Sequence, residues 1–246
     1  MNNFYTNNYP IINLYKKNSA ESKIVTQMIY GESFKIINKS SKWIKIRIKE
    51  DGYTGYIKNK RFISYLKPTH KVCVLSASIY KNSNYNNKIG KLSYVSKLKV
   101  EKSNSKFSKF QNKWIETKNI KPIKYINKNI FKNIGIFKSI KYKWGGKTFN
   151  GIDCSALIQV CFNFNNKFCP RDTGKQAKFF KKNISLKNIK KNDIIYWKGH
   201  VALALSAKKL IHAYGPRKKT LIMDISKTIK LIKRTANLEV ISIKRI

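Results

Sequence analysis

Cys154 stands in Gly151-Ile152-Asp153-Cys154-Ser155, where a glycine-containing loop gives way to an apolar run with helical spacing. A thiol at that place sits by the positive end of a helix, which favours the thiolate and makes it a candidate nucleophile. Asp153 or Ser155 can serve the backbone donors left unpaired at the helix start. The other cysteines lack this context. Cys161 lies further down the same run and suits a core position, Cys73 falls in a strand pattern, and Cys169 falls in a loop.

A nucleophilic thiol needs a base, and the base needs a group that holds its ring. The chain has 3 histidines, and His70 lies between two β-rich segments, which leaves His200 and His212. These fall in two strand-like runs, 200–206 and 210–214, joined by a turn near Ser206-Ala207-Lys208-Lys209. In an antiparallel hairpin centred on position 206 they stand opposite one another and share a face. Ala202 and Ala204 share the face of His200 and leave room for a helix or a substrate, while Val201, Leu203 and Leu205 fill the other face. One histidine can then act as base while the other orients it.

The elements that must position these groups fall into three regions. From Ile11 to about Lys67 the pattern is β-like. Ser33-Phe34-Lys35-Ile36-Ile37 and Trp43-Ile44-Lys45-Ile46-Arg47-Ile48 alternate with period two, and Asp51-Gly52 is a hairpin turn signal. Five or six short strands there predict a small barrel. A second, weaker version follows from about Lys71 to Ile123, with a Trp114-Ile115 strand in the place of Trp43-Ile44, so the segment reads as an internal duplication. Its stretch from Lys102 to Asn112 reads as a polar loop. After Pro122 the pattern changes. Helices are expected over 129–141, 153–165 and 173–181, followed by strands at 194–197, 200–206 and 210–214. The order is helices first, then an antiparallel sheet, an α+β arrangement.

Six spaced motifs occur in order: Tyr142-Lys143-Trp144-Gly145-Gly146, Gly151-Ile152-Asp153-Cys154-Ser155, Pro170-Arg171-Asp172, Asn192-Asp193-Ile194-Ile195-Tyr196-Trp197, Gly199-His200-Val201 and Ile211-His212-Ala213. Over residues 125–246 this set resembles the catalytic domain of the NlpC/P60 cysteine peptidases, which has a papain-like fold. Both preceding segments resemble bacterial SH3-type domains, the first more closely, and the arrangement is similar to the dipeptidyl-peptidase branch of the family. The resemblance implies a multidomain chain: two small all-β SH3-like barrels at 1–68 and 69–123, then an α+β NlpC/P60 domain at 124–246. It implies cleavage of γ-D-glutamyl–diamino acid bonds in murein peptides, in cell-wall recycling, with no metal or cofactor.

Site roles come with the same resemblance. Cys154 is the nucleophile, His200 the general base and His212 the third member. The Cys154 amide and Tyr142 are the oxyanion donors. Trp144, Asp153 and Ser155 line the substrate groove, and Asp172, within Asp172-Thr173, meets the free amine of an N-terminal L-Ala. Glu32 and Tyr53 of the first SH3-type domain are the candidates for further substrate contacts there. Two positions depart from the pattern: Ala156 and Asn192 stand where glycine is usual.

Charge excludes less than it suggests. Lys plus Arg total 53 against 11 Asp plus Glu, a formal net charge of +42. Only Arg47, Arg61, Arg171, Arg217, Arg234 and Arg245 are arginines, and the lysines are spread along the whole length among Asn and Ile. A nucleic-acid reader concentrates its charge and leans on Arg, so the balance reads as a coding bias toward A and T. No specific nucleic-acid partner is expected, although non-specific adhesion to polyanions follows in either case. With 4 cysteines and no CxxC pair, neither a disulfide framework nor a structural zinc site is expected. No secretory signal and no transmembrane run is read, so the expectation is a cytoplasmic enzyme without membrane insertion. The competing expectations are an exported wall hydrolase and a catalytically weak peptide-binding or wall-binding protein.

Overall fold

The computed structural model describes residues 4–246. The chain forms two compact units. One runs up to residue 126 and takes in 147–149 and 163–166; the other comprises 127–146, 150–162 and 167–246.

The first unit is all β. A 7-stranded sheet holds the N-terminal part, with Trp43–Ile48 paired between Ser33–Lys39 and Thr54–Lys58. Period two explains its core: Ile44, Ile46 and Ile48 point inward with Leu14, Met28, Phe34 and Ile57, and the intervening Lys45 and Arg47 point out. The Asp51-Gly52 turn forms as expected, with the Tyr53 N–H donating to Asp51 Oδ1 at 2.9 Å.

Residues 70–122 build a 5-stranded and a 3-stranded sheet around Val72, Ile79, Leu92, Phe110, Ile115 and Ile120. Tyr30, from the N-terminal part, belongs to this second core, so the two β segments share packing. The expected polar loop at 102–112 is instead a hairpin of Lys102–Ser103 with Phe107–Phe110. Asn104 Oδ1 accepts from the Lys106 and Phe107 amides and forms the turn, while Phe107 and Phe110 are buried. Phe107 and Phe110 stand three apart and so on opposite faces of the strand, which left no period-two run to mark it.

The second unit carries a 6-stranded antiparallel sheet. Its strands, in spatial order, are Lys182–Asn183, Val240–Arg245, Ile194–Trp197, His200–Ala204, Lys209–Tyr214 and Lys219–Asp224. Three helices accompany it: α1 (Cys154–Phe164), α2 (Thr173–Phe179) and α3 (Ile225–Ala236). One sheet face presents Ile195, Trp197, Ala202, Ala204, Leu210 and Tyr214, which pack with Ile225 and Ile232 of α3. The alanines therefore make room for a helix.

Two expectations for this region fail. The helix at 129–141 is a run of turns with only a 3-10 segment, Ile134–Phe137. Asn129 Oδ1 takes the Phe131 amide, and Ser139 adopts a left-handed φ of 68°. Asn, Gly and Ser offer the backbone these alternatives to a helix. The order of helices followed by sheet is also incomplete: α3 and the strand Val240–Arg245 follow, and that strand inserts beside Ile194–Trp197. The insertion is locked by Arg245, which donates to both Asp193 oxygens at 2.8 and 2.7 Å. Asp193 also accepts from the Lys190 amide, which closes the turn before Ile194. Asn192, where glycine is usual, takes φ 75°, a left-handed conformation that Asn tolerates well. Among the described residues no helix is long and apolar enough to cross a membrane.

Candidate active site

Asp153 starts α1. Its Oδ1 accepts the Ala156 amide at 2.8 Å, a helix cap three residues on. The loop before it folds back so that the Asp153 amide donates to Gly146 O at 3.1 Å and the Gly145 amide to Asp153 Oδ2 at 3.0 Å. Gly146 is required by this close return, because a Cβ there would meet Gly151 O at 2.5 Å. The helix start is further gripped by Arg171, whose Nη1 and Nη2 donate to Asp153 Oδ1 and Oδ2 at 2.9 and 2.6 Å. Nη1 also donates to Ser155 Oγ at 2.8 Å. Gln176 of α2 adds a bond from Nε2 to Ser155 O at 2.9 Å. Asp153 and Ser155 are therefore buried braces on either side of Cys154. Ala156, at the other departure from the motif, is fully buried inside α1.

The Cys154 thiol is directed at the neighbouring hairpin, its Sγ 3.9 Å from Gly199 O and within reach of the Val201 N–H. Gly199 forms the turn between Ile194–Trp197 and His200–Ala204 with φ 73°. Burial, reinforced by the Asp153 charge, pushes the thiol up to about 12. This reverses the expected thiolate: the helix-end dipole is outweighed by removal of the thiol from water. Cys161 and Cys169 are buried as well, and Cys73 is half-buried.

His200 and His212 share a face as expected, but not as directly opposite residues. The register sets Leu203 against Ile211 and Ala204 against Leu210, so the hairpin centre lies at 207. His212 therefore stands diagonally to His200, a spacing that long and aromatic side chains can still bridge. His200 Nε2 and His212 Nδ1 are 3.0 Å apart. His212 is fully buried, stacked on Tyr214 at 4.8 Å and 9°. Burial lowers His200 to about 4, and burial together with His200 lowers His212 to about 3. Both rings are neutral at neutral pH.

Tyr142 lies beside Ile152 in a short parallel bridge, and its amide donates to Lys218 O at 2.9 Å. Burial, with Cys154 and Asp153 nearby, raises its hydroxyl, which therefore stays protonated as a donor. Trp144 is 65% exposed. Asp172 precedes α2, with Thr173 as the first helical residue, and its side chain is 46% exposed. The Asp172 side chain makes no capping bond and stands 4.0 Å from Lys175 Nζ.

Glu32 is deeply placed. It belongs to the first unit and is 2% exposed. Its Oε1 is 2.6 Å from Lys147 Nζ and its Oε2 takes the Ile29 amide at 2.8 Å. Each carboxylate oxygen thus already holds one partner within the first unit. Burial pushes this carboxyl up, against the pull of Lys147. Tyr53 packs half-buried against the first core. Sequence reasoning missed Arg171 as a brace, Lys147 as the partner of Glu32 and Met223, whose sulfur lies 3.4 Å from His212 Nε2. Arg171 carried a signal, since it is one of only six arginines and adjoins Asp172. Met223 carried none. Among the described residues no group of three or more His, Cys, Asp or Glu is placed to hold a metal ion.

Two known families match parts of this chain. Residues 139–235 match the NlpC/P60 family and residues 14–61 the bacterial dipeptidyl-peptidase SH3 domain, so the chain joins an NlpC/P60 domain to an SH3-type domain. Among curated proteins it is 25% identical to the gamma-D-glutamyl-L-lysine dipeptidyl-peptidase of Bacillus subtilis (strain 168), over 85% of this chain and 79% of that one. It is 22% identical to dipeptidyl-peptidase 6 of Lysinibacillus sphaericus, over 82% and 84% of the two chains. An NlpC/P60 family protein from Bacillus cereus ATCC 10987 has the same fold, with a TM-score of 0.83 at 16% identity over 98% and 99% of the chains.

Proposed function

We propose that this protein is a cysteine peptidase that hydrolyses the γ-D-glutamyl–diamino acid bond of short cell-wall peptides with a free N-terminal L-Ala. The observation that carries the reading is the 3.0 Å contact between His200 Nε2 and His212 Nδ1, with His200 next to the Gly199 turn that the Cys154 thiol faces. With Nε2 engaged by His212, Nδ1 is the ring nitrogen left to take the thiol proton. The relatives named for γ-D-glutamyl dipeptidyl-peptidase activity support the bond and substrate class.

In this mechanism thiol and imidazole rest as a neutral pair, because a buried site disfavours separated charges. Substrate binding brings the γ-carbonyl to Sγ, and the proton moves to His200 as the carbon–sulfur bond forms. The Cys154 amide at the start of α1 and the protonated Tyr142 hydroxyl stabilise the oxyanion. His200 then protonates the leaving amine, and water hydrolyses the thioester. Asp172, half-exposed and uncapped, receives the ammonium of L-Ala. Trp144 offers an exposed ring at the loop that leads to the nucleophile.

The reading divides the chain into SH3-type barrels at 1–68 and 69–123 and a papain-like catalytic domain at 124–246. A free-amine requirement places the enzyme in recycling, on peptides already released from glycan. The test is release of L-Ala-γ-D-Glu from a free tripeptide. Wild type should release it and Cys154→Ala should not, whereas equal rates would sink the mechanism. Equal cleavage of N-blocked or glycan-linked peptide would favour the exported wall hydrolase instead.

A further inference from the structure

Met223 lies on the strand Lys219–Asp224, whose register sets it opposite Leu210 and sets Leu221 opposite His212. His200, His212 and Met223 thus form one diagonal row on one face of three adjacent strands. The contacts along it are His200 Nε2 to His212 Nδ1 at 3.0 Å and His212 Nε2 to Met223 Sδ at 3.4 Å. A thioether sulfur has lone pairs and no proton, so it can only accept. A ring nitrogen facing it is favoured with its hydrogen on. A neutral imidazole carries one N–H, and the hydrogen bond made by one nitrogen decides the state of the other.

We propose that Met223 is a positioning residue for the reaction: its sulfur selects the Nε2–H form of His212 and, through it, the form of His200 whose Nδ1 is bare. His212 Nδ1 then holds the lone pair, His200 Nε2–H donates to it, and His200 Nδ1 is free to take the Cys154 proton. The opposite arrangement is unproductive. If His212 carried its hydrogen on Nδ1, it would donate to His200 Nε2, and neutral His200 would carry its own hydrogen on Nδ1. The row also serves the charged intermediate without rearrangement, because imidazolium His200 still donates from Nε2. Burial keeps His212 neutral, so the tautomer and not the charge is the variable that Met223 controls. The inference rests on the cysteine-peptidase reading of Cys154 and His200.

Nitrogen NMR of the full chain labelled at histidine reads the tautomers directly, and only 3 histidines need assignment. Wild-type His212 should be in the Nε2–H form. Met223→Leu keeps the volume and removes the acceptor. It should shift His212 toward the Nδ1–H form and lower kcat about three- to tenfold, the worth of one ordinary hydrogen bond, with KM unchanged. Met223→Gln returns an acceptor oxygen and should restore both readouts. Met223→Val, equally unable to accept, carries the test if the leucine variant does not fold. An Nδ1–H form of His212 in wild type overturns the proposal, and so does an unchanged tautomer or an unchanged kcat in a folded leucine or valine variant. Undiminished cleavage by Cys154→Ala would overturn the peptidase reading separately, because the tautomer measurement does not depend on activity.

Discussion

Arg171 meets Asp153 with both terminal guanidinium nitrogens, at 2.9 and 2.6 Å, and from the same Nη1 reaches Ser155 Oγ at 2.8 Å. One buried side chain thereby holds the residues before and after Cys154, and it is the immediate neighbour of Asp172. The pair fixes the helix start in a loop that leaves little play, since the Gly145 and Ala156 amides also end on Asp153.

Removing the guanidinium would leave the Asp153 charge buried and partly unpaired. Arg171→Met should therefore cost about 3–5 kcal/mol of stability, measured by denaturant unfolding. Arg171→Lys should recover little of it, because a single ammonium cannot reproduce the two-pronged geometry. Wild-type stability in Arg171→Met would show that the pair contributes nothing net.

The histidines differ in depth, and their loss should differ in kind. His200→Ala removes the group that takes the proton and should lower kcat about 10²–10⁴-fold. His212→Ala leaves His200 in place without its partner at Nε2, so a smaller loss in kcat is expected, with KM little changed. Steady-state kinetics on the free tripeptide separates the two. A His212→Ala variant as dead as His200→Ala would assign the proton transfer to the pair acting as a unit.

Both rings titrate far below an ordinary histidine, at about 4 and about 3. Above about pH 6.5 neither the folded nor the unfolded chain protonates these groups, and their contribution to stability is fully present. As pH falls from about 6.5 toward 4, the unfolded chain binds protons that the folded one refuses, so stability should decline across that window. The acid limb of kcat/KM should lie near pH 4, where His200 protonates, and not near the ordinary histidine value. Denaturation midpoints and a pH–rate profile check the two statements independently. An acid limb near pH 6.5 would mean that substrate binding or water restores an ordinary histidine.

Local signals carried most of the site. The position of Cys154 at a helix start and the shared face of the histidines both followed from spacing, because strand alternation and helix entry are local geometry. What spacing could not supply was register and long-range partnership. The hairpin turns one residue later than its symmetric reading, because Leu205 N–H bonds to Lys209 O and sets the centre at 207. Val240–Arg245 enters the sheet between Lys182–Asn183 and Ile194–Trp197, a pairing with the latter more than forty residues distant in sequence, and Asp193 and Arg245 together show what holds it. The ion pair of Glu32 was hidden for the same reason. Its partner Lys147 is remote in the chain, and among so many lysines no pattern singled it out. Desolvation likewise follows from tertiary packing, so the thiolate expected of a helix N-terminus gave way to a buried neutral thiol.

That neutral thiol predicts an order of reactivity. Cys73 is the half-buried cysteine, while Cys154, Cys161 and Cys169 are buried. Alkylation of the native protein at neutral pH should modify Cys73 first and Cys154 slowly, with Cys161 and Cys169 reacting only on unfolding. Because burial holds Cys154 at about 12, its labelling rate should keep rising with pH through the alkaline range. Mass spectrometry of timed samples resolves the four sites. Rapid labelling of Cys154 at neutral pH would restore the thiolate and place an ion pair with His200 in the resting enzyme.

Glu32 and Asp172 offer the sharpest separation between structure and recognition. Glu32→Gln removes the charge that pairs with Lys147, whose Nζ is 2.6 Å away and itself buried. The uncompensated ammonium should cost about 3–5 kcal/mol of stability, while KM for the free tripeptide stays near wild type in whatever fraction is folded. Asp172→Asn touches an exposed carboxylate and should leave unfolding unchanged within about 0.5 kcal/mol. It should nonetheless raise KM for free-amine peptide about tenfold or more, the worth of a charge-assisted contact, and leave any residual cleavage of N-blocked peptide untouched. Parallel unfolding curves and KM values for the two variants decide between the roles. A raised KM in Glu32→Gln at full stability would return that residue to the substrate, and an unchanged KM in Asp172→Asn would remove the amine from Asp172.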